Sequence, residues 1–421
     1  MKDAMQIGAI AAMGCLTPAD AAVQTATTSS VGMLDPGRWE PSARFRIESI
    51  IRKSALEEAE QRFHRPYAVF DWDNTSIVND TEEALLLYQI ETLAFHIPSD
   101  KFIEVILQNV PSSTASAIPN ERGKFSTFHS LAVDVSADYT ALKQRFASLP
   151  PAPDELQASP RFHSFRAKLL FLYSALDETL GPNVAYPWVI NLLSGYTLDG
   201  LARLAEESND TALGDALQLA VFRSPEDAPG AAGPVKVEHR RGIRITSEIA
   251  STMHTLRANG FDVYVVSASL EPVVAVFASL PKYGYGIPRE HVFGLRMEEV
   301  NGTLQPYYRR NWPLVWGPGK VQLIREQMIS AKGYGPTLVF GDSDGDFEML
   351  SQFPDTATGI IVNRLKSGKI GSLCRKAVEQ SSKSGARFLL QGRNESTGLW
   401  RPEQTTLDLH VTQAKLLADK T

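Results

Sequence analysis

Hydrophobic positions recur with helical spacing over residues 46–63, where Ile47, Ile50, Ile51 and Leu56 fall near one face and Glu57, Glu58 and Glu60 mostly opposite. The run YAVFD (67–71) then reads as a short buried strand. The same helix-then-strand unit returns much later. Thr246 or Ser247 starts a helix whose Ile249, Met253 and Leu256 share a face and which ends at Asn259-Gly260. FDVYVVSAS (261–269) follows as a strand, with a further helix from Glu271-Pro272. Residues 291–308 read as a hairpin turning at Asn301-Gly302. A third unit pairs the helix 321–330 with the strand TLVFGD (337–342), and TGIIVN (358–363) is another strand. Apolar strands alternating with helices imply a parallel sheet covered on both faces. Residues 82–223 carry a mostly helical pattern broken by Ser/Pro stretches at 111–119 and 148–160, and SPEDAPGAAGPV (224–235) reads as a linker. The pattern predicts one α/β domain with a largely helical insertion between its first two core strands.

Composition narrows the class. The 421 residues are 43% hydrophobic and 21% charged with a net charge of -6, as in an ordinary globular protein. No apolar run reaches the roughly 20 residues that span a bilayer, and the mild acidity argues against nonspecific nucleic-acid binding. The sequence gives no basis for a membrane or nucleic-acid partner, and it leaves the oligomeric state open. Cys15 and Cys374 form no disulfide framework. The histidines show no i,i+4 pair, which argues against a zinc site. MQIGAIAAM (5–13) followed by ADAAV (19–23) resembles a secretory signal peptide, which would make the mature chain periplasmic or secreted. Read instead as a plain tail, it leaves the chain cytoplasmic. Residues 24–44 read as an extended linker.

Four features carry chemistry. The strand 67–70 runs into Asp71-Trp72-Asp73-Asn74-Thr75, and ligands of open α/β sheets bind beyond the carboxyl ends of the strands. Paired carboxylates there suit phosphoryl transfer, Asp71 as nucleophile and Asp73 as general acid and base. Ser267-Ala268-Ser269 ends the second apolar strand ahead of a helix start, an arrangement that binds anions, with Ser267 as the expected phosphate contact. Lys320 follows Gly317-Pro318-Gly319 and opens a helix, where its charge could offset phosphate and nucleophile. The segment is no Walker loop, because Val321 follows the lysine. GDSDGD places Asp342, Asp344 and Asp346 at another strand end, an oxygen-rich set suited to Mg²⁺.

Taken in order, DWDNT, SAS, Lys320 and GDSDGD resemble the haloacid dehalogenase superfamily, in its phosphoserine-phosphatase-like branch. The resemblance implies a Rossmann-like parallel core with helices on both faces and a large, mostly helical cap inserted after the first core strand. The expected layout is a tail over 1–44, core over 45–80, cap over 81–240, core again over 241–400 and a C-terminal extension over 401–421. It also implies a Mg²⁺-dependent phosphomonoesterase working through an aspartyl phosphate. Asp71, Asp73 (by its backbone carbonyl), Asp342 and Asp346 would serve the metal, and Ser267, Ala268 and Lys320 the phosphoryl group. DWDNTSIVNDTEEALLLY and GPGK are similar to the phosphorylcholine phosphatases, which points to a small phosphate ester, phosphorylcholine among them. A quaternary ammonium prefers aromatic faces and carboxylates, and Trp72, Asp80, Glu82, Glu83 and Tyr88 are the candidates, with Trp312 and Trp316 just before Lys320 as further aromatics. The alternatives are a phosphatase for phosphoserine or another small ester, a phosphotransferase, and a catalytically silent binding protein on the same fold.

Overall fold

A computed structural model describes residues 32–58, 65–146, 153–383 and 385–418. The segment 5–23, read above as resembling a signal peptide, and Cys15 lie outside the described residues.

Among the described residues, seven strands form the central sheet: β1 (Tyr67–Phe70), β2 (Asp262–Leu270), β3 (Val292–Leu295), β4 (Leu338–Gly341), β5 (Thr358–Val362), β6 (Phe388–Arg393) and β7 (Trp400–Arg401). Their spatial order is β7-β6-β5-β4-β1-β2-β3, with only the β6–β7 pairing antiparallel. β1, β4, β5 and β6 are buried at every position, which is why they read as unbroken apolar runs rather than alternating ones. The chain runs from β1 outward to β2 and β3, then returns to place β4 on the other side of β1. This reversal of direction between β1 and β4 is where ligands bind in such sheets. The α/β class expected from the pattern is therefore the observed one.

Between β1 and β2 the chain leaves and rejoins the core through a short antiparallel pair, Ile77 opposite Ile245 and Val78 opposite Arg244. The intervening segment contains the helices Phe128–Arg145, Pro160–Leu180, Pro182–Asn191 and Leu198–Gly214, and it ends in the hairpin Gln218–Arg223/Lys236–Arg241. Two sequence expectations are corrected here. Residues 224–235 are not an interdomain linker but the loop of that hairpin. Lys168, almost fully buried, bonds Asp134 at 2.7 Å and the Pro229 carbonyl at 2.8 Å, while Asp134 accepts from the amides of Ala231 and Ala232. The hairpin expected over 291–308 is also shorter. Val292–Leu295 joins the main sheet parallel to β2, and only Met297–Val300 and Thr303–Tyr308 pair as a hairpin.

Of the segment 24–44 expected to be an extended linker, the described part, residues 32–44, packs against the core and enters the first helix. That helix begins at Pro41, and Trp39 meets Trp400 edge-on with ring centroids 4.6 Å apart. Among the described residues no helix is long and apolar enough to cross a membrane.

Candidate active site

The register of β1 against β4 sets Phe70 opposite Phe340, so Asp71 and Asp342 emerge from adjacent strands at the same edge. The Asp71 amide still bonds the Phe340 carbonyl (3.0 Å), which ties the residue to the sheet. Lys320 approaches from its helix, Pro318–Ile324, and places its ammonium 2.6 Å from Asp71 Oδ1 and 2.7 Å from Asp346 Oδ1. Gly319 permits that approach, because a Cβ there would collide with the Leu314 carbonyl. Asp346 turns its other oxygen back to accept from the amides of Asp342 (3.0 Å) and Ser343 (3.1 Å). The Thr75 hydroxyl lies 2.8 Å from Asp71 Oδ2 and 2.9 Å from Asp342 Oδ1. Arg364, at the end of β5, holds Asp342 Oδ2 at 2.8 Å.

Burial and the neighbouring Asp346 push the Asp71 carboxyl well above its usual range, with Lys320 pulling the other way. Asp342 is held below its usual value: burial works against ionisation, but Arg364 and Thr75 outweigh it. Lys320 is buried, which disfavours its charge, yet Asp346 and Asp71 hold it firmly protonated. Asp71, Asp342 and Asp346 each offer an oxygen within 4.8 Å of the others, and two cations, Lys320 and Arg364, face these three carboxylates. An all-oxygen set with surplus negative charge fits a hard divalent cation such as Mg²⁺.

Asp73 stands outside that cluster. Its Oδ1 accepts from the Thr81 amide (2.7 Å) and hydroxyl (2.8 Å), and its Oδ2 from the hydroxyls of Ser269 (2.7 Å) and Ser267 (3.2 Å). Burial raises its carboxyl, and these bonds counter the rise. Ser267, the expected phosphate contact, is fully buried with its hydroxyl 3.2 Å from Asp73, and Ala268 and Ser269 are the residues of that turn that line the cavity.

The cavity, about 420 Å³, is lined by Asp71, Asp73 and Lys320 on the core side and by Tyr173, Asp177 and Tyr186 from the insertion. Asp80, Glu82 and Glu83 also reach it. Asp80 caps the helix Thr81–Thr92 by accepting from the amides of Glu82 and Glu83, and burial raises its carboxyl well above normal. Glu82 accepts from the Leu270 amide at 2.6 Å, and burial pushes it up to about 8.

Two further expectations fail. Trp72 is fully buried against Phe277 and Tyr285 on the side away from the cavity, because successive side chains of an extended chain point to opposite faces. Tyr88 is about 140° round the helix from Glu83, and it bonds Glu207 instead of lining the cavity. Trp316 lines the cavity, whereas Trp312 stacks on Arg296. Asp344 points away and accepts from the Ile370 amide at 2.8 Å. Sequence reasoning missed Thr75, Ser269, Arg364, Tyr173, Asp177 and Tyr186. Thr75 lies inside the DWDNT motif and Arg364 just beyond an apolar strand, so both had a positional signal.

A family model described as haloacid dehalogenase-like hydrolase matches residues 174–351. A phosphorylcholine phosphatase of Pseudomonas aeruginosa is 31% identical over 337 residues, covering 74% of this chain and 76% of the relative. A solved structure of a conserved, functionally unknown protein from Anaerococcus prevotii superposes with a TM-score of 0.82 at 30% identity, covering 89% of this chain and 98% of that one. Fold, site and relatives together place the chain in the haloacid dehalogenase-like hydrolase family. It is a phosphoric monoester hydrolase.

Proposed function

We propose that the chain is a Mg²⁺-dependent phosphatase for small phosphate esters of cationic alcohols, phosphorylcholine foremost, acting through an aspartyl phosphate. Asp71 attacks phosphorus, the bond to the leaving oxygen breaks, and Asp73 gives that oxygen its proton. Water then attacks phosphorus, Asp73 takes up the water's proton, and the bond from phosphorus to Asp71 breaks, which restores the Asp71 carboxylate and releases inorganic phosphate. Thr75 and Lys320 hold the Asp71 carboxylate in one orientation for the attack. Lys320 and the Ala268–Ser269 turn would receive the phosphoryl oxygens. Asp71, Asp342 and Asp346 would hold Mg²⁺, with the Asp73 backbone carbonyl as a further donor. When bound, the ion would offset charge on the transferring group.

The observation that carries the substrate class is the composition of the cavity wall that the insertion contributes. Tyr173 and Tyr186 lie there within electrostatic range of Asp80, Glu83 and Asp177, which raise both phenols beyond the effect of burial. Aromatic faces beside carboxylates suit a quaternary ammonium. The assignment of the ester to phosphorylcholine is also supported by the Pseudomonas relative.

A substrate panel tests both parts. Chelated enzyme should be silent and should recover with Mg²⁺. With Mg²⁺, kcat/KM for phosphorylcholine should exceed that for its uncharged isostere, 3,3-dimethylbutyl phosphate, by about tenfold or more, as a desolvated cation–aromatic contact of about 2 kcal/mol requires. Equal values for the two, or a preference for phosphoserine, would contradict the headgroup reading. Full activity in chelator would contradict the metal reading.

A further inference from the structure

We propose that Arg393 is a positioning residue for the nucleophile loop, delivered by the chain's C-terminal segment. This rests on the phosphatase reading above. Arg393 ends β6 and is fully buried. Its Nε and Nη2 grip Glu395 at 2.9–3.1 Å. Its remaining head nitrogen, Nη1, donates to the backbone carbonyl of Asn74 at 2.9 Å. Among the described residues it is the one donor to that carbonyl.

Asn74 lies between Asp73 and Thr75 and holds a left-handed conformation, with φ of 64°. Asparagine is among the side chains that reach that region most readily, and bonds on both sides fix the loop in it. The Asn74 amide is bonded to the Asn79 carbonyl (2.9 Å), which closes the loop from one side, and Arg393 closes it from the other. The carbonyl that Arg393 holds belongs to the peptide leading into Thr75, whose hydroxyl bridges Asp71 and Asp342. A rotation of that peptide moves Thr75 and with it the Asp71 carboxylate.

Arg393 is itself pinned by the segment beyond β7. Its amide bonds the Thr406 hydroxyl (3.0 Å), its carbonyl accepts from the Leu407 amide (3.0 Å), and the Thr406 hydroxyl reaches on to the Asn363 carbonyl (2.6 Å). A buried Arg–Glu pair alone would be a structural feature of uncertain net worth. The third donor, aimed at the carbonyl of the residue between Asp73 and Thr75, gives this pair a role in alignment. A misplacement of about 1 Å at a reacting group can cost on the order of a hundredfold in rate.

The test compares Arg393→Lys, Arg393→Met and Glu395→Gln in the full chain with Mg²⁺ and p-nitrophenyl phosphate, alongside parent enzyme and thermal melts. Arg393→Lys keeps a charge against Glu395 but has one head where two partners wait. It should melt close to the parent, lose kcat about tenfold, and keep KM within about twofold. Arg393→Met should lose more. Glu395→Gln leaves the bond to Asn74 in place, so it should lower the melting temperature while kcat per folded molecule stays near the parent. If Arg393→Met does not fold, Arg393→Lys decides. Parental kcat in Arg393→Lys overturns the inference, as does an equal fall of kcat and stability in Glu395→Gln. An inactive parent would instead sink the phosphatase reading itself.

Discussion

Asp71→Asn should lower kcat at least about a thousandfold, the scale on which removal of a covalent nucleophile is felt. The substitution is nearly isosteric. The amide oxygen still accepts from Thr75, and Lys320 keeps its bond to Asp346. What disappears is the charged oxygen that attacks phosphorus. The fold should not suffer, because Asp71 is a buried carboxylate that burial and Asp346 already disfavour. Melting temperature at or slightly above the parent, with turnover gone, is the expected pair of results. Steady-state rates with phosphorylcholine within tenfold of the parent would remove Asp71 from its role.

Lys320→Met should be costly in both stability and rate. Lys320 is 2% exposed and is the shared cation of Asp71 and Asp346, which are buried as well. Removing one partner of a buried pair leaves uncompensated charge and typically costs about 3–5 kcal/mol. In chelator the variant should unfold at markedly lower denaturant concentration than the parent. Mg²⁺ should recover part of that loss, since a cation among the same carboxylates restores part of the balance. Turnover should fall at least about a hundredfold even with Mg²⁺, because the charge beside the transferring group is gone. A denaturation midpoint equal to the parent's in chelator would contradict the placement of Lys320.

The edge of the sheet where these groups meet was readable because strand geometry is local. Each apolar run ends in its polar motif, and in a parallel sheet all such ends share an edge. The finer placements depend on information that runs of residue types do not carry. Asp71 and Asp73 share one side of an extended segment, and the same alternation could have turned Trp72 away from the site. Ser267 and Ser269 also share a side, and only the length of β2, which continues to Leu270, shows that the later one stands nearer the cavity. The 224–235 loop has the Pro/Gly composition of a linker, and its anchoring by Lys168 and Asp134 is a contact between residues far apart in sequence. Arg364 and Arg393 act through partners equally remote, Asp342 and the Asn74 carbonyl. Tyr173 and Tyr186 sit in helices whose pattern is that of an ordinary core, so nothing in their spacing marked them as cavity residues.

Trapping the phosphoenzyme tests the central claim most directly. Enzyme turning over phosphorylcholine with Mg²⁺ is acid-quenched, reduced with borohydride and digested, since an acyl phosphate is reduced to an alcohol and aspartate becomes homoserine. The account predicts homoserine at position 71, dependent on substrate and absent from Asp71→Asn. Rapid hydrolysis with aspartate unchanged at 71, or with homoserine at another carboxylate, would contradict it.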